Sequence, residues 1–147
     1  MNMFEKLFLL VKNNAGKAVI DNPVIAAKDR DAVIIEASSS IIEVLKNQME
    51  NGKLNDLIKF FQYSGIYSTA LISSMVNRFA NKLNNFYGVE PEAAHKTASM
   101  LIPDVLQKLI QESKSGEEKE FALGNMLSNL NGNSADLNVL VNSMMVA

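Results

Sequence analysis

Apolar residues recur at three- and four-residue steps along most of the chain, which is the spacing of one face of an α-helix. The first such segment presents a single apolar face made of Phe4, Leu7, Phe8, Val11, Ala15 and Ala18. Asn22-Pro23 ends this segment, because a proline disfavours the helical conformation of the residue before it. The pattern therefore predicts one amphipathic helix at the start of the chain.

A second, longer helix is predicted to begin near Asp29 and to continue through Glu50. The run from Ala32 to Ile35 has the composition of a buried strand. The helical period, however, continues for roughly 15 further residues, which favours a helix. Asn51-Gly52 is a suitable end for it, because glycine adopts the left-handed conformation at little cost.

Glycine, serine and proline mark the starts and ends of the next three predicted helices. A short third helix is closed by Gly65, a fourth is capped by Ser68 and closed by Gly88, and a fifth begins at Pro91. Serine accepts hydrogen bonds from the first free N–H groups of a helix. Proline suits the first turn, where its missing N–H is not needed.

Pro103 conflicts with the helical pattern around it, because an internal proline removes a hydrogen bond and costs about 3 kcal/mol or more. Two interpretations remain open. Either the fifth helix is kinked at Pro103, or it ends near Leu101 and another helix begins at Pro103. The apolar face continues through Leu109 in both cases.

The last third of the chain contains two more predicted helices. Ser115 and Glu118 have the spacing of a capping box, which marks the start of a helix. Ser134 is predicted to cap the final helix, whose apolar face consists of Leu137, Leu140, Val141, Met144 and Met145. The sequence thus predicts one all-α domain over residues 1–147, a compact bundle of seven to eight short helices with short connections.

Two of these helices resemble each other. Residues 32–51 align with residues 93–112 without a gap. The identical pairs are Ala32/Ala93, Ala37/Ala98, Ser38/Ser99, Ile41/Ile102, Val44/Val105 and Leu45/Leu106. Either the chain contains an internal duplication, giving two related helical hairpins, or two helices require similar core faces. Fewer than three repeats argues against a solenoid.

The composition of the chain argues against several classes of function. The 147-residue chain carries a net charge of −2 and no cysteine. A nucleic-acid binder usually has a basic excess, so no nucleic-acid partner is expected. The sequence has no thiol chemistry, and its first residues lack the long apolar core of a signal peptide. No stretch approaches the ~18 apolar residues of a membrane span. We therefore expect a cytoplasmic protein without an integral membrane segment.

Residues 79–111 resemble a known family. The elements that carry the resemblance are Gly88-Val89, Pro91-Glu92 and Leu101-Ile102-Pro103, which form a helix, a turn, a helix and a proline break. They are similar to the YidB-like family of small bacterial all-helical domains, over about a quarter of the chain. The resemblance implies an all-α fold and a helix boundary at Pro103. It implies no catalytic residues, because the family has no assigned function.

Candidate catalytic residues are few. His95 is the only histidine, and Glu92 lies three residues earlier on the same helix, within reach as a partner for a general base. A zinc site needs three or four ligands, and one histidine with scattered carboxylates does not favour one. Ser38-Ser39-Ser40 lies within a helix without a nucleophile elbow, which favours helix packing. Arg78 and Lys82 favour a solvated face, and no phosphate-binding loop is present. We predict no cofactor and no metal.

The two ends of the chain carry the strongest indication of binding. The first helix has two phenylalanines, and the last is rich in methionine, a flexible side chain often found at binding surfaces. The candidate interaction surface consists of Phe4, Phe8, Leu140, Met144 and Met145. Our leading hypothesis is a non-catalytic interaction module that binds an unknown protein partner or itself. The alternatives are an enzyme with a cleft around His95 and Glu92, and a peripheral membrane binder using its first helix.

Overall fold

The computed structural model describes residues 3–62, 69–115 and 121–130, and the regular structure in these ranges is all helical, with no strand. The α-helices are α1 (Met3–Asn13), α2 (Arg30–Glu50), α3 (Leu54–Gln62), α4 (Thr69–Tyr87), α5 (Pro91–Ser115) and α6 (Leu123–Leu130). A π-helical turn (Gly16–Ile20) and a 3-10 turn (Ala27–Asp29) lie between α1 and α2. The all-α bundle predicted from the sequence is confirmed. The predicted final helix lies outside the described residues.

The core is formed mainly where α4 packs against α5 and where α2 packs against α4. The connection between α4 and α5 is only three residues long, so these two helices form a hairpin. α1 lies on α2 and also contacts α5, while α6 contacts α2. The largest fully buried side chains include Phe60, Phe61, Phe79, Leu83, Leu101 and Leu106. One continuous apolar cluster thus links all six helices.

Glycine ends two of the helices as predicted. Gly52 has a φ of 74°, a conformation that costs a residue with a Cβ about 1–2 kcal/mol. The N–H of Gly52 donates to the Met49 carbonyl at 3.1 Å and that of Lys53 to the Gln48 carbonyl at 2.9 Å. This pair of bonds is a Schellman motif, which satisfies the last free carbonyls of α2. Gly88, with a φ of 66°, follows α4 in the same conformation.

The prediction of one uninterrupted helix up to Pro23 is wrong. α1 ends at Asn13, and the chain continues as the π-helical turn, in which Asp21 N–H donates to the Gly16 carbonyl at 2.8 Å. Asn14 and Gly16 favour a break, because both residues are poor helix formers. Ala15 and Ala18 are nevertheless buried, so the predicted apolar face holds across the break. Asn22 Nδ2 then donates to Thr97 Oγ1 at 2.9 Å, which ties this segment to α5.

The helix boundary expected at Pro103 is also wrong, because α5 is one helix from Pro91 to Ser115 with Pro103 inside it. The proline costs the helix one backbone hydrogen bond. On both sides of it, α5 buries Leu101, Ile102, Val105 and Leu106 completely. Burial of such side chains contributes about 1.5–3 kcal/mol each, which outweighs the local cost.

The capping box predicted at Ser115 and Glu118 stays a prediction, because only Ser115 belongs to the described residues. Ser115 is the last residue of α5, and its Oγ donates back to the Glu112 carbonyl at 3.2 Å. Glu118 lies outside the described residues. α6 begins at Leu123, and the N–H of Met126 donates to the Ala122 carbonyl at 2.9 Å. Serine near a helix end can bond carbonyls as well as N–H groups, so its position alone does not tell a start from an end.

The aligned residues of α2 and α5 occupy similar environments. Ala37 and Ala98, Ile41 and Ile102, Val44 and Val105, and Leu45 and Leu106 are all buried, whereas Ser38 is buried and Ser99 is exposed. Two core helices need such matching apolar faces whatever their origin. The internal duplication therefore stays a prediction.

Tyr87, at the end of α4, provides a pH-dependent test of the packing between α4 and α2. Burial raises the pKa of the Tyr87 phenol above its usual 10, and the nearby Glu36 and Asp29 carboxylates raise it further. The folded state thus favours the neutral phenol. Its stabilising contribution is complete below pH ~10 and is lost as the pH rises through the raised pKa.

We therefore expect the phenolate absorbance of wild type minus that of Tyr87→Phe to titrate above pH ~10. The difference in unfolding free energy between the two proteins should fall in the same alkaline range. A Tyr87 signal that titrates at or below the usual value would contradict this packing.

Candidate functional site

An open groove of about 800 Å³ lies between α1 and α2. Its walls are apolar and consist of Phe4, Phe8, Leu9, Ile35 and Ile42. Its polar lining residues are Glu5, Ser38, Ser39, Glu43 and Lys46. We call this feature the α1/α2 groove. A concave apolar surface with a few polar groups at its edge is the usual form of a binding site.

The groove arises because α1 and α2 use only part of their apolar residues for the core. Met3, Leu7 and Val11 are the buried face of α1, and Phe4 and Phe8 lie one position further round the helix. On α2, Ile34 and Ile41 are buried, while Ile35 and Ile42 are again one position further round. Each helix therefore has a second apolar row beside its core face, and the two rows line the same groove.

Two serines keep the space between these rows open. Ser38 and Ser39 lie on α2 between Ile35 and Ile42 and have small side chains. Ser38 is buried, and its Oγ donates to the Ile34 carbonyl at 3.0 Å, so its polar group is satisfied within the helix. A larger side chain at Ser39 would fill the groove. Ser38 and Ser39 thus help to shape this surface. The close approach of two helices that the sequence indicated for the three serines stays a prediction.

The groove is an uncovered apolar surface in the described part of the chain. Phe4 is 42% exposed, Leu9 39% and Ile35 52%. Single exposed apolar side chains are common, but a contiguous group around a concavity is typical of an interaction site. Phe86, which is 69% exposed, lies on α4 and does not line this groove.

One end of the α1/α2 groove is charged. Glu43 is bonded to Lys82 and lies 3.8 Å from Arg78 Nη1, so this carboxylate is shared by two cations. Lys46 lines the same end, and no ion pair joins it to another described residue. A smaller polar pocket of about 300 Å³ continues from there and is lined by both Lys46 and Arg78. This end of the groove therefore presents the Lys46 ammonium beside the Glu43 carboxylate.

The five residues of the predicted interaction surface fall into two groups. Phe4 and Phe8 both line the α1/α2 groove. Leu140, Met144 and Met145 lie outside the described residues. Leu9, Ile35 and Ile42 were not predicted as site residues. The available signal was Ile35, an apolar residue out of phase with the buried face of α2.

The two residues proposed for an enzyme lie on the surface of α5. His95 and Glu92 are both exposed near the start of α5, and neither lines a described pocket. The Oγ atom of Ser99 lies 3.5 Å from Nδ1 of His95, a distance that is long for a hydrogen bond. His95 thus lies on the exposed side of α5, whose buried face packs on α4.

The two cations of the basic face of α4 share one carboxylate of α2. Arg78 and Lys82 lie one turn apart, as the sequence indicated, and both contact Glu43 of α2. Their charges therefore serve the contact between α2 and α4 more than an open phosphate site. Among residues 3–62, 69–115 and 121–130, no group of three or more acidic or histidine side chains has the arrangement of a metal site.

The first helix is attached to the core. Met3, Leu7 and Val11 are at most 3% exposed, so the main apolar face of α1 is already covered by protein. In the part of the chain that the structure describes, no helix combines the length and the apolarity needed to cross a bilayer. The only apolar row of α1 that is left uncovered for binding in the described structure is the one that lines the groove, formed by Phe4 and Phe8.

Comparison with known proteins identifies no relative of this chain. The chain matches no protein-family model, and searches of curated proteins and of solved structures also give no match. The resemblance to the YidB-like family stays a prediction.

Proposed function

We propose that this protein is a non-catalytic interaction domain that binds an amphipathic helix of a partner protein in the α1/α2 groove. The observation that carries the proposal is the contiguous exposure of Phe4, Leu9 and Ile35 around one concave surface. An apolar groove between two helices is a common site for the apolar face of a third helix.

The dimensions of the groove support a helical ligand. Its α2 wall extends from Ile35 to Lys46, about 16 Å at 1.5 Å per residue, which corresponds to roughly three helical turns. A partner helix with apolar residues at positions i, i+3, i+4 and i+7 would present a face of this length. Lys46 favours a partner with an acidic residue at one end of that face.

The other hypotheses have less support. An enzyme would need a cleft, and His95 is exposed on the surface of α5. A peripheral membrane binder would need the main apolar face of α1, which is buried against the core. Self-association through the same groove is the outcome in which the captured partner is a second copy. The cytoplasmic location predicted from the sequence belongs to the same proposal.

Capture from a native lysate tests the proposal when matched variants are compared. Ile35→Asp places a charge in the groove at a position that is 52% exposed, so we expect little loss of stability. Phe86→Asp makes the same kind of change at an exposed residue on α4, outside the groove. We expect wild type and Phe86→Asp to capture the same protein and Ile35→Asp to lose it.

Equal capture by all three proteins would contradict the assignment of the groove. Binding to anionic lipid vesicles that is lost in Ile35→Asp, without any protein captured, would instead support a membrane surface as the ligand and contradict a partner helix. Circular dichroism of each variant establishes that the helical content is retained.

A further inference from the structure

We propose that the partner helix is α2 of a second copy of this chain, so that two molecules pair through their α1/α2 grooves as a twofold-symmetric dimer. The inference rests on the proposed function and names the partner of that same site. It is carried by the order of apolar, small and charged residues along one face of α2, because this order is complementary to itself when two copies of the helix run in opposite directions.

One face of α2 has a symmetric order of residues. At helical spacing it consists of Asp31, Ile35, Ser38, Ser39, Ile42 and Lys46. All of these residues except Asp31 line the α1/α2 groove. Ile35 precedes Ser38 by three residues, and Ile42 follows Ser39 by three. Asp31 precedes Ser38 by seven residues, and Lys46 follows Ser39 by seven. The midpoint of the face is therefore between the two serines, and each half carries an isoleucine and then a charge, with opposite signs in the two halves.

Two such faces are complementary only when the helices run in opposite directions. A twofold axis then passes through the midpoint of the face, and each residue meets the one at the same distance on the other side. Ile35 contacts Ile42 of the second copy, and Asp31 lies opposite Lys46 of the second copy. A parallel pair would instead place two Asp31 carboxylates together and two Lys46 ammonium groups together, and this repulsion disfavours it. The charges therefore set the orientation of the pair.

The two end charges of this face cannot pair with each other within one molecule. Asp31 and Lys46 lie on the same helix, about 22 Å apart at 1.5 Å per residue. Asp31 is 3.9 Å from Lys12 of α1, but the two side chains are 76% and 47% exposed, and such a pair contributes little. Glu43 also lines the groove and is bonded to Lys82 of its own chain. The dimer thus gives each end charge a close partner of opposite sign and leaves the bond of Glu43 intact.

The small side chains at the midpoint allow the two helices to approach closely. Ser38 is buried and donates to the Ile34 carbonyl of its own helix, so its hydroxyl needs no partner from the second copy. Helices that meet at small side chains pack at the short end of the usual axial distances of about 8–10 Å. At that distance the exposed parts of Ile35 on α2 and Phe4 on α1 are removed from water in both copies. Their burial supplies the apolar part of the interface.

Sedimentation velocity of the purified full chain measures the pairing directly. A contact between two pairs of helices is small, so we expect a modest affinity and a shift from monomer to dimer between about 1 and 100 µM. Phe86→Asp, outside the groove, should dimerise as wild type does. Ile35→Asp should stay monomeric, because each copy then brings a carboxylate to the apolar contact with Ile42. A wild-type protein that is still monomeric at about 100 µM would overturn the proposal.

Charge reversal tests the antiparallel arrangement. Asp31→Lys gives a copy with cations at both ends of the face, and Lys46→Asp gives a copy with anions at both ends. Each variant alone should dimerise about tenfold more weakly than wild type, because both symmetry-related pairs become repulsive. An equimolar mixture should recover a mixed dimer, since each pair again joins a lysine and an aspartate. A folding defect cannot imitate this recovery, because the mixture contains the same two proteins. A mixture as weak as either variant would overturn the arrangement.

The same variants separate this inference from the proposed function. If wild type is monomeric but captures a different protein that Ile35→Asp loses, the second copy is overturned as the partner and the groove remains the binding site. If Ile35→Asp dimerises as wild type does, the dimer uses another surface and the inference is overturned. The proposed function falls as well only if Ile35→Asp also captures its partner normally. Circular dichroism of each variant establishes that the helical content is retained.

Discussion

Replacing Phe79 by alanine is expected to lower the free energy of unfolding by about 3–5 kcal/mol, the usual cost of truncating a buried phenylalanine. Phe79 is completely buried on α4, the helix that packs against both α5 and α2. The change removes a large apolar side chain and leaves a cavity that the neighbouring helices fill only partly. A small domain has about 5–15 kcal/mol of stability in total, so this loss is severe.

Urea unfolding followed by circular dichroism measures the effect. Phe86→Ala on the same helix is the matched control, because Phe86 is 69% exposed. We expect the control to change the stability by no more than about 0.5 kcal/mol. Similar losses for the two variants would contradict the assignment of Phe79 to the core and the placement of α4 between α2 and α5.

Replacing Ser39 by tryptophan is expected to weaken partner binding at least about 30-fold, which corresponds to about 2 kcal/mol. Ser39 is a small residue between the apolar walls of the α1/α2 groove, so an indole there occupies the space of the incoming helix. The indole can pack on Phe8 in a groove that is open to solvent, and the fold should therefore tolerate it. Ser74→Trp, at an exposed serine of α4, is the control.

The sequence predicted the helices well because their core faces are long and regular. The buried residues of α2, from Val33 to Leu45, follow the helical period, and Gly52 takes the left-handed conformation expected of a glycine stop. Pro91 is the first residue of α5, as its missing N–H favours. At these positions the local preference and the tertiary packing agree.

The errors occur where tertiary contacts outweigh a local signal. Pro103 was expected to break a helix, but the buried residues on both sides of it hold α5 together. Asn14 and Gly16 interrupt the first helix although the apolar period continues across them. The spacing of apolar residues indicates which residues face the core. It does not indicate whether the backbone between them is α-helical or π-helical.

The candidate site was only partly predictable for a related reason. Phe4 and Phe8 stood out as aromatic residues of an amphipathic helix, yet their partners Ile35 and Ile42 lie about thirty residues away on α2. A second apolar row beside the core face has no periodic signature of its own. Only the packing of α1 against α2 places the two rows at one groove.

Titration of the captured partner into purified Ser39→Trp, Ser74→Trp and wild-type protein would test most directly that the α1/α2 groove is the binding site. Calorimetry gives the affinity for each protein, and circular dichroism establishes that all three are equally helical. We predict wild-type affinity for Ser74→Trp and at least about 30-fold weaker binding for Ser39→Trp. Equal affinity of all three proteins would show that the partner binds elsewhere.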